Sequence, residues 1–154
     1  MRLWRISIYN DLTGMGGEFS KGRWHTPAPG KRIVYLAEHP ALALLETIVN
    51  LKGRPEDRAE NYQLLRIEAP DDIAVEQIEE QSLPENWRET PTLTRSLGDA
   101  WLERQTSAFI AVPSAPGPES KNYLLNPNHP DSEKITVTWS RWLRYDRRFF
   151  RLSE

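Results

Sequence analysis

One acidic side chain in this 154-residue sequence stands within an otherwise apolar helical pattern. Between Ala41 and Val49 only Glu46 and Thr47 are polar, so the spacing predicts a helix that is apolar on nearly all sides and enclosed by other elements. A carboxylate buried without a partner is strongly disfavoured, and such a group is usually paired with a cation or used in catalysis. The pattern by itself therefore leaves two interpretations of Glu46 open, an ion pair with an arginine and a catalytic carboxylate.

Two arginines near the N-terminus have chemistry suited to an anionic ligand. Arg5 shares one face of an alternating segment with Tyr9, and Arg23 begins the cluster Arg-Trp-His inside a glycine-rich stretch. A planar guanidinium matches phosphate oxygens, and the rings of Tyr9 and Trp24 offer stacking faces for a flat heterocycle. The same spacing also fits a solvated Arg5 on an exposed strand face, and an Arg23 that anchors its loop to a carboxylate.

Other polar side chains are less specific. Tyr35 lies in the run RIVYLA, where its pattern is that of a core strand aromatic. Ser114 follows Pro113 at a strand end, where hydroxyls often cap turns, and it lacks the G-x-S-x-G pattern of a serine nucleophile. The histidines show no metal-ligand spacing, so the sequence predicts no metal site. These histidines are His25, His39 and His129.

The elements that must position these side chains follow from the periodicities. Strand patterns cover residues 3–9, 32–37, 62–69, 72–78, 108–112 and 135–139, and helical patterns cover 39–51 and 93–105. On the first strand, the face of Trp4 is predicted to be core and that of Arg5 is not. Strands mixed with two helices, without regular βαβ alternation, predict a single α+β domain.

The connecting segments complete this prediction. Residues 11–31, rich in Gly, Pro, Ser and Thr, predict a long loop, and a long ordered loop in a compact domain is often functional. We also expect a charged surface turn at 53–61 and loops at 84–91 and 113–122, while the tail from residue 139 fits an edge strand.

Composition narrows the function classes. The formal net charge of −2 gives no electrostatic basis for binding nucleic acid or a membrane surface. The chain contains no cysteine, which excludes disulfides, thiolate nucleophiles and cysteine-bound zinc and fits a reducing cytosol. No signal-peptide pattern and no apolar run of about 20 residues is present, so we expect a soluble, cytoplasmic protein.

Taken together, these segments resemble the RES domain, a family named for its arginine, glutamate and serine. The matching runs are LWRISIY with Arg5, GRWH with Arg23, VYLAEHPALALLE with Tyr35 and Glu46, GDAWL, and AVPSAPGPESKNYLLNPNHPD with Ser114. Each run is short, but the ordered set is specific and covers nearly the whole chain. We therefore expect one RES domain over residues 1–154.

The resemblance implies the toxin of a bacterial toxin–antitoxin pair, with a fold like that of the ADP-ribosyltransferases, a mixed β-sheet core with flanking helices. Members of the family degrade NAD by hydrolysis or phosphorolysis, and some relatives instead ADP-ribosylate a protein. NAD would then be the substrate and no cofactor would be needed. The implied partner is an Xre-like helix-turn-helix antitoxin, with a homodimer of the toxin inside the complex.

The resemblance also implies roles for individual residues. Cleavage of the nicotinamide–ribose bond builds positive charge on the ribose, which Glu46 would stabilise. Arg5 and Arg23 would hold the pyrophosphate or admit phosphate, Ser114 would bind the nicotinamide end, and Tyr35 would face nicotinamide or ribose. The alternatives are a protein ADP-ribosyltransferase and a non-catalytic module that binds a nucleotide or a partner. The predicted catalytic residues are Glu46 and Arg5, and the predicted substrate-binding residues are Arg23, Tyr35, Ser114, Tyr9 and Trp24.

Overall fold

One seven-stranded sheet and two α-helices make up the part of the chain that the computed structural model describes, residues 1–51 and 59–150. The strands are β1 (Arg2–Ser7), β2 (Val34–Ala37), β3 (Gln63–Glu68), β4 (Val75–Gln77), β5 (Phe109–Pro113), β6 (Lys121–Leu125) and β7 (Thr136–Trp142). The helices are α1 (Pro40–Asn50) and α2 (Pro91–Arg104). Within these residues, no helix is long and apolar enough to cross a membrane.

The strands are ordered β4-β5-β6-β2-β1-β3-β7 across the sheet. The pair β4–β5 is parallel, and the other five pairs are antiparallel. A mixed sheet whose two helices do not alternate regularly with parallel strands is an α+β architecture. The predicted fold class is confirmed.

Both faces of the sheet bury apolar side chains. One face carries a cluster that includes Leu3, Val34, Leu36, Leu65, Ile67, Phe109 and Leu125. On the other face, α2 and the loop before β2 cover a second cluster that includes Trp24, Trp87, Trp101, Ile110, Val112 and Leu124. The expectation that only the Trp4 face of β1 is core is wrong, because β1 lies inside the sheet and Leu3, on the opposite face, is 1% exposed.

Each helix begins at a proline, which is well tolerated in the first turn because its missing N–H has no partner there. At α1 the ring of His39 accepts a hydrogen bond from the backbone N–H of Ala41, which caps the helix. The buried positions of α2 recur at the helical spacing of one face and turn that face toward the sheet. These positions are Thr94, Gly98, Trp101 and Leu102.

Helix α1 is covered on one side and not enclosed. Leu42 and Ala43 pack on the sheet together with Trp4, whereas Leu45 is 37% exposed and Val49 is 54% exposed. The prediction of a helix buried on all sides is therefore wrong. The apolar composition of a helix does not reveal which of its sides faces solvent. No element in the described part of the chain covers the side of α1 that carries Leu45 and Val49.

One strand was missing from the sequence prediction. Segment 121–125 was assigned partly to a loop, but it forms β6 at the centre of the sheet. Asn122 and Leu124 lie on one face and Tyr123 and Leu125 on the other, so both faces are largely covered and the apolar–polar alternation is absent. The last strand runs from Thr136 to Trp142 as the predicted edge strand. Most of the charged turn at 53–61, and residues 151–154, lie outside the described residues.

Candidate active site

The carboxylate of Glu46 accepts two hydrogen bonds on the same oxygen. Ser114 Oγ donates to Glu46 Oε1 at 2.7 Å, and Asn122 Nδ2 donates to the same Oε1 at 2.5 Å. Glu46 is half-buried, while Ser114 and Asn122 are 1% and 9% exposed. We call this arrangement of Glu46, Ser114 and Asn122 the Glu46 clamp.

Sheet topology brings the three residues of the Glu46 clamp together. Asn122 on β6 lies opposite Ala37 of β2 on one side and opposite Val112 of β5 on the other. Helix α1 starts soon after β2 ends, and Ser114 directly follows β5. Three chain segments that are far apart in sequence therefore meet at one end of the central strands.

The turn after β5 fixes the hydroxyl of Ser114. The backbone N–H of Gly117 donates to Ser114 Oγ at 3.0 Å, while the hydroxyl proton is donated to Glu46. A Cβ atom at Gly117 would lie 2.6 Å from Leu42 Cδ1 and 3.0 Å from Ser114 Oγ, so this turn packs closely on α1 and any larger residue would displace the Leu42 side chain. Because the hydroxyl is buried and already engaged twice, the geometry favours a role in orienting Glu46 over direct contact with nicotinamide.

The two interpretations of Glu46 left open by the sequence are not equally supported. None of the salt bridges recorded within residues 1–51 and 59–150 includes Glu46. Its partners are neutral donors, which orient a carboxylate without cancelling its charge. The geometry therefore favours a carboxylate available for chemistry.

Tyr35 lies in a buried hydrogen-bond network that holds the Arg23 loop. Its hydroxyl accepts from the backbone N–H of Trp24 at 3.1 Å and lies 2.8 Å from His25 Nδ1. His25 Nε2 lies 3.0 Å from the carbonyl oxygen of Gly17. Since a carbonyl can only accept, Nε2 carries the proton, and in the neutral ring Nδ1 accepts from the tyrosine hydroxyl. Burial lowers the pKa of His25 and raises the pKa of Tyr35, which keeps both groups neutral.

Helix α2 holds the same loop from the other side. Three contacts join its side chains to the loop backbone: Thr94 Oγ1 to the carbonyl of Arg23 at 2.6 Å, Arg95 Nε to the carbonyl of Gly22 at 2.9 Å, and the N–H of Thr26 to Asp99 Oδ1 at 2.9 Å. A Cβ atom at Gly98 would lie 1.7 Å from the carbonyl oxygen of Trp24. Only glycine at this position allows the loop to lie directly on α2.

Two arginines link this loop to the turn that carries Ser114. Arg23 Nη1 donates to the carbonyl of Arg88 at 3.0 Å, and Arg88 Nε donates to the carbonyl of Ala115 at 3.2 Å, in the same turn as the clamp serine. Both cations lie over the ring of Trp87, at 5.8 Å and 4.6 Å from its centroid. Arg88 also pairs with Glu80. The structure therefore adds Arg88, which contacts the residue after Ser114, to the predicted Arg23.

Three predicted site residues are not brought to the Glu46 clamp. Arg5 lies on the face of β1 opposite Trp4, which packs toward α1, and donates to the backbone carbonyl of Asp11 at 2.8 Å. Burial lowers the pKa of Arg5. Tyr9 is 56% exposed beyond the end of β1, and Trp24 is 2% exposed in the core, so the indole offers no open stacking face.

Asn122 and Arg88 are the residues that sequence reasoning missed. Asn122 lies in the strand that had no alternating pattern, and Arg88 lies in a segment predicted as a loop. Asn122 lies within the family-matching run AVPSAPGPESKNYLLNPNHPD, which assigned it no role, and Arg88 lies outside every matching run. Because Asn122 is 76 positions from Glu46 in the sequence, the contact between the two could not be predicted.

The site is defined here by these contacts. Two surface cavities of about 260 and 270 Å³ lie elsewhere, one beside Arg32 and Asn126 and the other beside Lys21 and Arg95. Among the described residues, no group of three or more histidine or carboxylate side chains is placed to hold a metal ion. The expectation that no metal or cofactor is used stays a prediction.

The fold and the site together define a small α+β domain with one oriented carboxylate. The same fold occurs in the M. tuberculosis MbcT–MbcA toxin–antitoxin complex, with a TM-score of 0.73 and 18% identity, covering 92% of this chain and 83% of that chain. The family model named "RES domain" matches residues 2–147. The chain therefore belongs to the RES domain family, as its sequence motifs predicted.

Two curated relatives match most of the chain. One is "Toxin Res" of Pseudomonas putida, 42% identical over 137 residues, which covers 89% of this chain and 92% of the relative. Another is "Prs ADP-ribosylating toxin" of Sphingobium sp., 37% identical over 160 residues, with 96% of each chain covered. Relatives that are named as toxins therefore match this chain over almost their full lengths.

Proposed function

We propose that this chain is the toxin of a toxin–antitoxin pair and that it cleaves the nicotinamide–ribose bond of NAD. The observation that carries the proposal is the Glu46 clamp. It presents a carboxylate fixed by neutral donors, and Arg88, which donates to the carbonyl of Ala115 next to Ser114, connects the turn of the clamp to Arg23. An NAD-cleaving site needs a carboxylate for the ribose and cations for the pyrophosphate, and the clamp region supplies both.

The chemistry follows from the charge that develops during cleavage. As the glycosidic C–N bond breaks, its electron pair leaves with nicotinamide, which departs as a neutral molecule and needs no general acid. The ribose carries an oxocarbenium-like positive charge, which the Glu46 carboxylate stabilises while it accepts a hydrogen bond from the 2′-hydroxyl. Water then adds to the ribose carbon and loses one proton to solvent, or an unprotonated oxygen of phosphate adds to the same carbon with no proton released.

The remaining side chains divide into ligand contacts and supports. Arg23 binds the pyrophosphate, or inorganic phosphate as the nucleophile. Arg88 pairs with Glu80, and its carbonyl accepts a hydrogen bond from Arg23, which orients the Arg23 guanidinium. Tyr35 and Ser114 act through other groups: Tyr35 fixes the loop of Arg23, and Ser114 fixes Glu46. Arg5, Tyr9 and Trp24 have no direct part in this proposal.

The test is NAD cleavage by the purified chain, with and without phosphate, followed by chromatography of nicotinamide, ADP-ribose and its phosphorylated form. Glu46→Gln is the matched control, because glutamine keeps the shape and the accepting oxygen but removes the charge. We expect nicotinamide release by the wild type and a loss of at least about a hundredfold in Glu46→Gln. Intact NAD in the presence of wild-type protein would refute the proposal.

A second candidate is transfer of ADP-ribose to a protein side chain. The similarity to a relative named as an ADP-ribosylating toxin favours it, and the same Glu46 and arginines would serve. Incubation with labelled NAD and a bacterial lysate separates the two reactions. Label attached to a protein band indicates the transferase, whereas label found only in small products indicates NAD cleavage.

The proposed partner is an Xre-like helix-turn-helix antitoxin that binds this chain and blocks its site. The fold shared with the toxin of a toxin–antitoxin complex is consistent with this proposal. Coexpression with the protein encoded in the adjacent reading frame tests it: the pair should copurify and growth should recover. A neighbour that neither copurifies nor restores growth would contradict it.

A further inference from the structure

Asn122 is buried, and its side-chain amide donates a hydrogen bond to the carboxylate of Glu46. It lies on β6 between β2 and β5, opposite Ala37 and Val112, so its backbone is fixed by the sheet on both sides. Nothing in the proposed reaction requires an amide at this place unless it acts on Glu46. The position is thus rigid, polar and directed at the reacting group.

The two donors of the Glu46 clamp leave the carboxylate asymmetric. Ser114 and Asn122 both donate to Oε1. Within the described parts of the chain, Oε2 accepts none of the recorded hydrogen bonds, although a carboxylate oxygen has room for two donors. Donors from two different elements on one oxygen restrict rotation of the carboxylate, so that Oε2 is presented in a fixed direction.

We propose that Asn122 is a positioning residue that, together with Ser114, holds Oε1 of Glu46 so that Oε2 faces the ribose of the substrate. This inference rests on the proposed function. An amide suits the task because it is a neutral donor: it orients the carboxylate and leaves its full charge for the developing cation. An arginine or lysine in its place would form an ion pair with Glu46 and weaken that stabilisation.

Two substitutions of Asn122 separate orientation from packing. Asn122→Ala removes the donor, and we expect kcat to fall by about ten- to a hundredfold with KM changed by less than about threefold, because positioning is realised in the transition state. Asn122→Asp keeps the shape but sets a second carboxyl against Glu46. At about pH 8 this variant should be less active than Asn122→Ala, because two adjacent carboxylates repel each other.

The pH dependence of Asn122→Asp is the decisive readout. As the pH falls from about 8 to about 6, the paired carboxyl groups share one proton and the new hydroxyl donates to Glu46, as the amide did. The activity of Asn122→Asp relative to wild type should therefore rise several-fold, while the relative activity of Asn122→Ala stays constant. Equal, pH-independent losses in both variants would overturn the proposal, because they indicate a packing role only.

Thermal unfolding tests the same contact without NAD. The melting temperature of Asn122→Asp should fall further below that of wild type as the pH rises from about 6 to 8, and most of this deficit should vanish in a Glu46→Gln background. A deficit unchanged by Glu46→Gln would refute the contact. If the coupling is present but wild type leaves NAD intact, the proposed function fails and the orientation of Glu46 by Asn122 stands.

Discussion

Substitution of Ser114 by alanine tests both what holds the Glu46 clamp together and what it does. The change removes the donor to Glu46 Oε1 and the acceptor for the N–H of Gly117, at a side chain that is 1% exposed. A hydrogen bond to a charged group contributes about 1.5–3 kcal/mol. Glu46 is half-buried and water can replace part of that bond, so we take about 1 kcal/mol for it. The buried N–H of Gly117 loses its partner and adds about 1–3 kcal/mol.

The free energy of unfolding should therefore fall by about 2–4 kcal/mol. For a chain of this length each kcal/mol corresponds to about 2–4 °C in melting temperature, which gives a decrease of about 5–15 °C. Thermal and urea unfolding followed by circular dichroism measure this change. In the NAD cleavage assay, kcat should fall by about ten- to a hundredfold, because the carboxylate is held by Asn122 alone.

Ser120→Ala is the matched control for Ser114→Ala. Its hydroxyl lies in the same turn and donates only to the carbonyl of Pro118 in an exposed contact at 3.3 Å. Its removal should change the free energy of unfolding by less than about 0.5 kcal/mol and leave kcat unchanged. The reasoning is refuted if Ser114→Ala is as stable and as active as Ser120→Ala.

Two further predictions concern the loop that carries Arg23. Gly98→Ala places a Cβ atom 1.7 Å from the carbonyl oxygen of Trp24 and should displace the loop. We expect the protein to be destabilised by about 2 kcal/mol or more, although alanine has the better helix propensity. Because the loop carries Arg23, the KM for NAD should rise. Gly16→Ala is the control, because no atom lies within 4 Å of its added Cβ, and it should leave KM unchanged. Similar urea midpoints for Gly98→Ala and Gly16→Ala would contradict this account. A separate prediction concerns His25, whose pKa is lowered from 6.5 in the folded protein by burial. The unfolded chain therefore binds the proton more readily than the folded one. The free energy of unfolding should be highest above about pH 6.5 and should decrease as the pH falls below that value. His25→Gln should flatten this part of the curve in urea titrations at several pH values, and an unchanged slope would count against the neutral, buried histidine.

The contacts of Ser114 favour a role different from the one that the family resemblance implied. The resemblance implied a contact with the nicotinamide end of the substrate. The structure instead commits the hydroxyl to Glu46 and to a turn that packs on α1. The two roles differ in their kinetics: loss of a ligand contact would raise KM, and loss of orientation lowers kcat.

The sequence alone determined the broad architecture and the central carboxylate. Alternation in β1 and β3, the helical pattern after Pro40 and the absence of βαβ order were sufficient for an α+β domain, because these periods are local. Glu46 was identifiable since a single acidic residue in an apolar helix requires an explanation within its own neighbourhood. The ordered motifs also predicted the family, which the match over residues 2–147 confirms.

Only the tertiary structure decided which side chains share a site. The hydrogen bonds to Glu46 come from residues 68 and 76 positions away, on strands that become neighbours only in the sheet. The same sheet order turns Arg5 to the face away from α1 and leaves Trp24 in the core, although both looked like ligand contacts. The physical reason is that alternation along a strand fixes only which of its side chains share a face. The order of the strands in the sheet and the position of α1 decide which side chains from different segments come together.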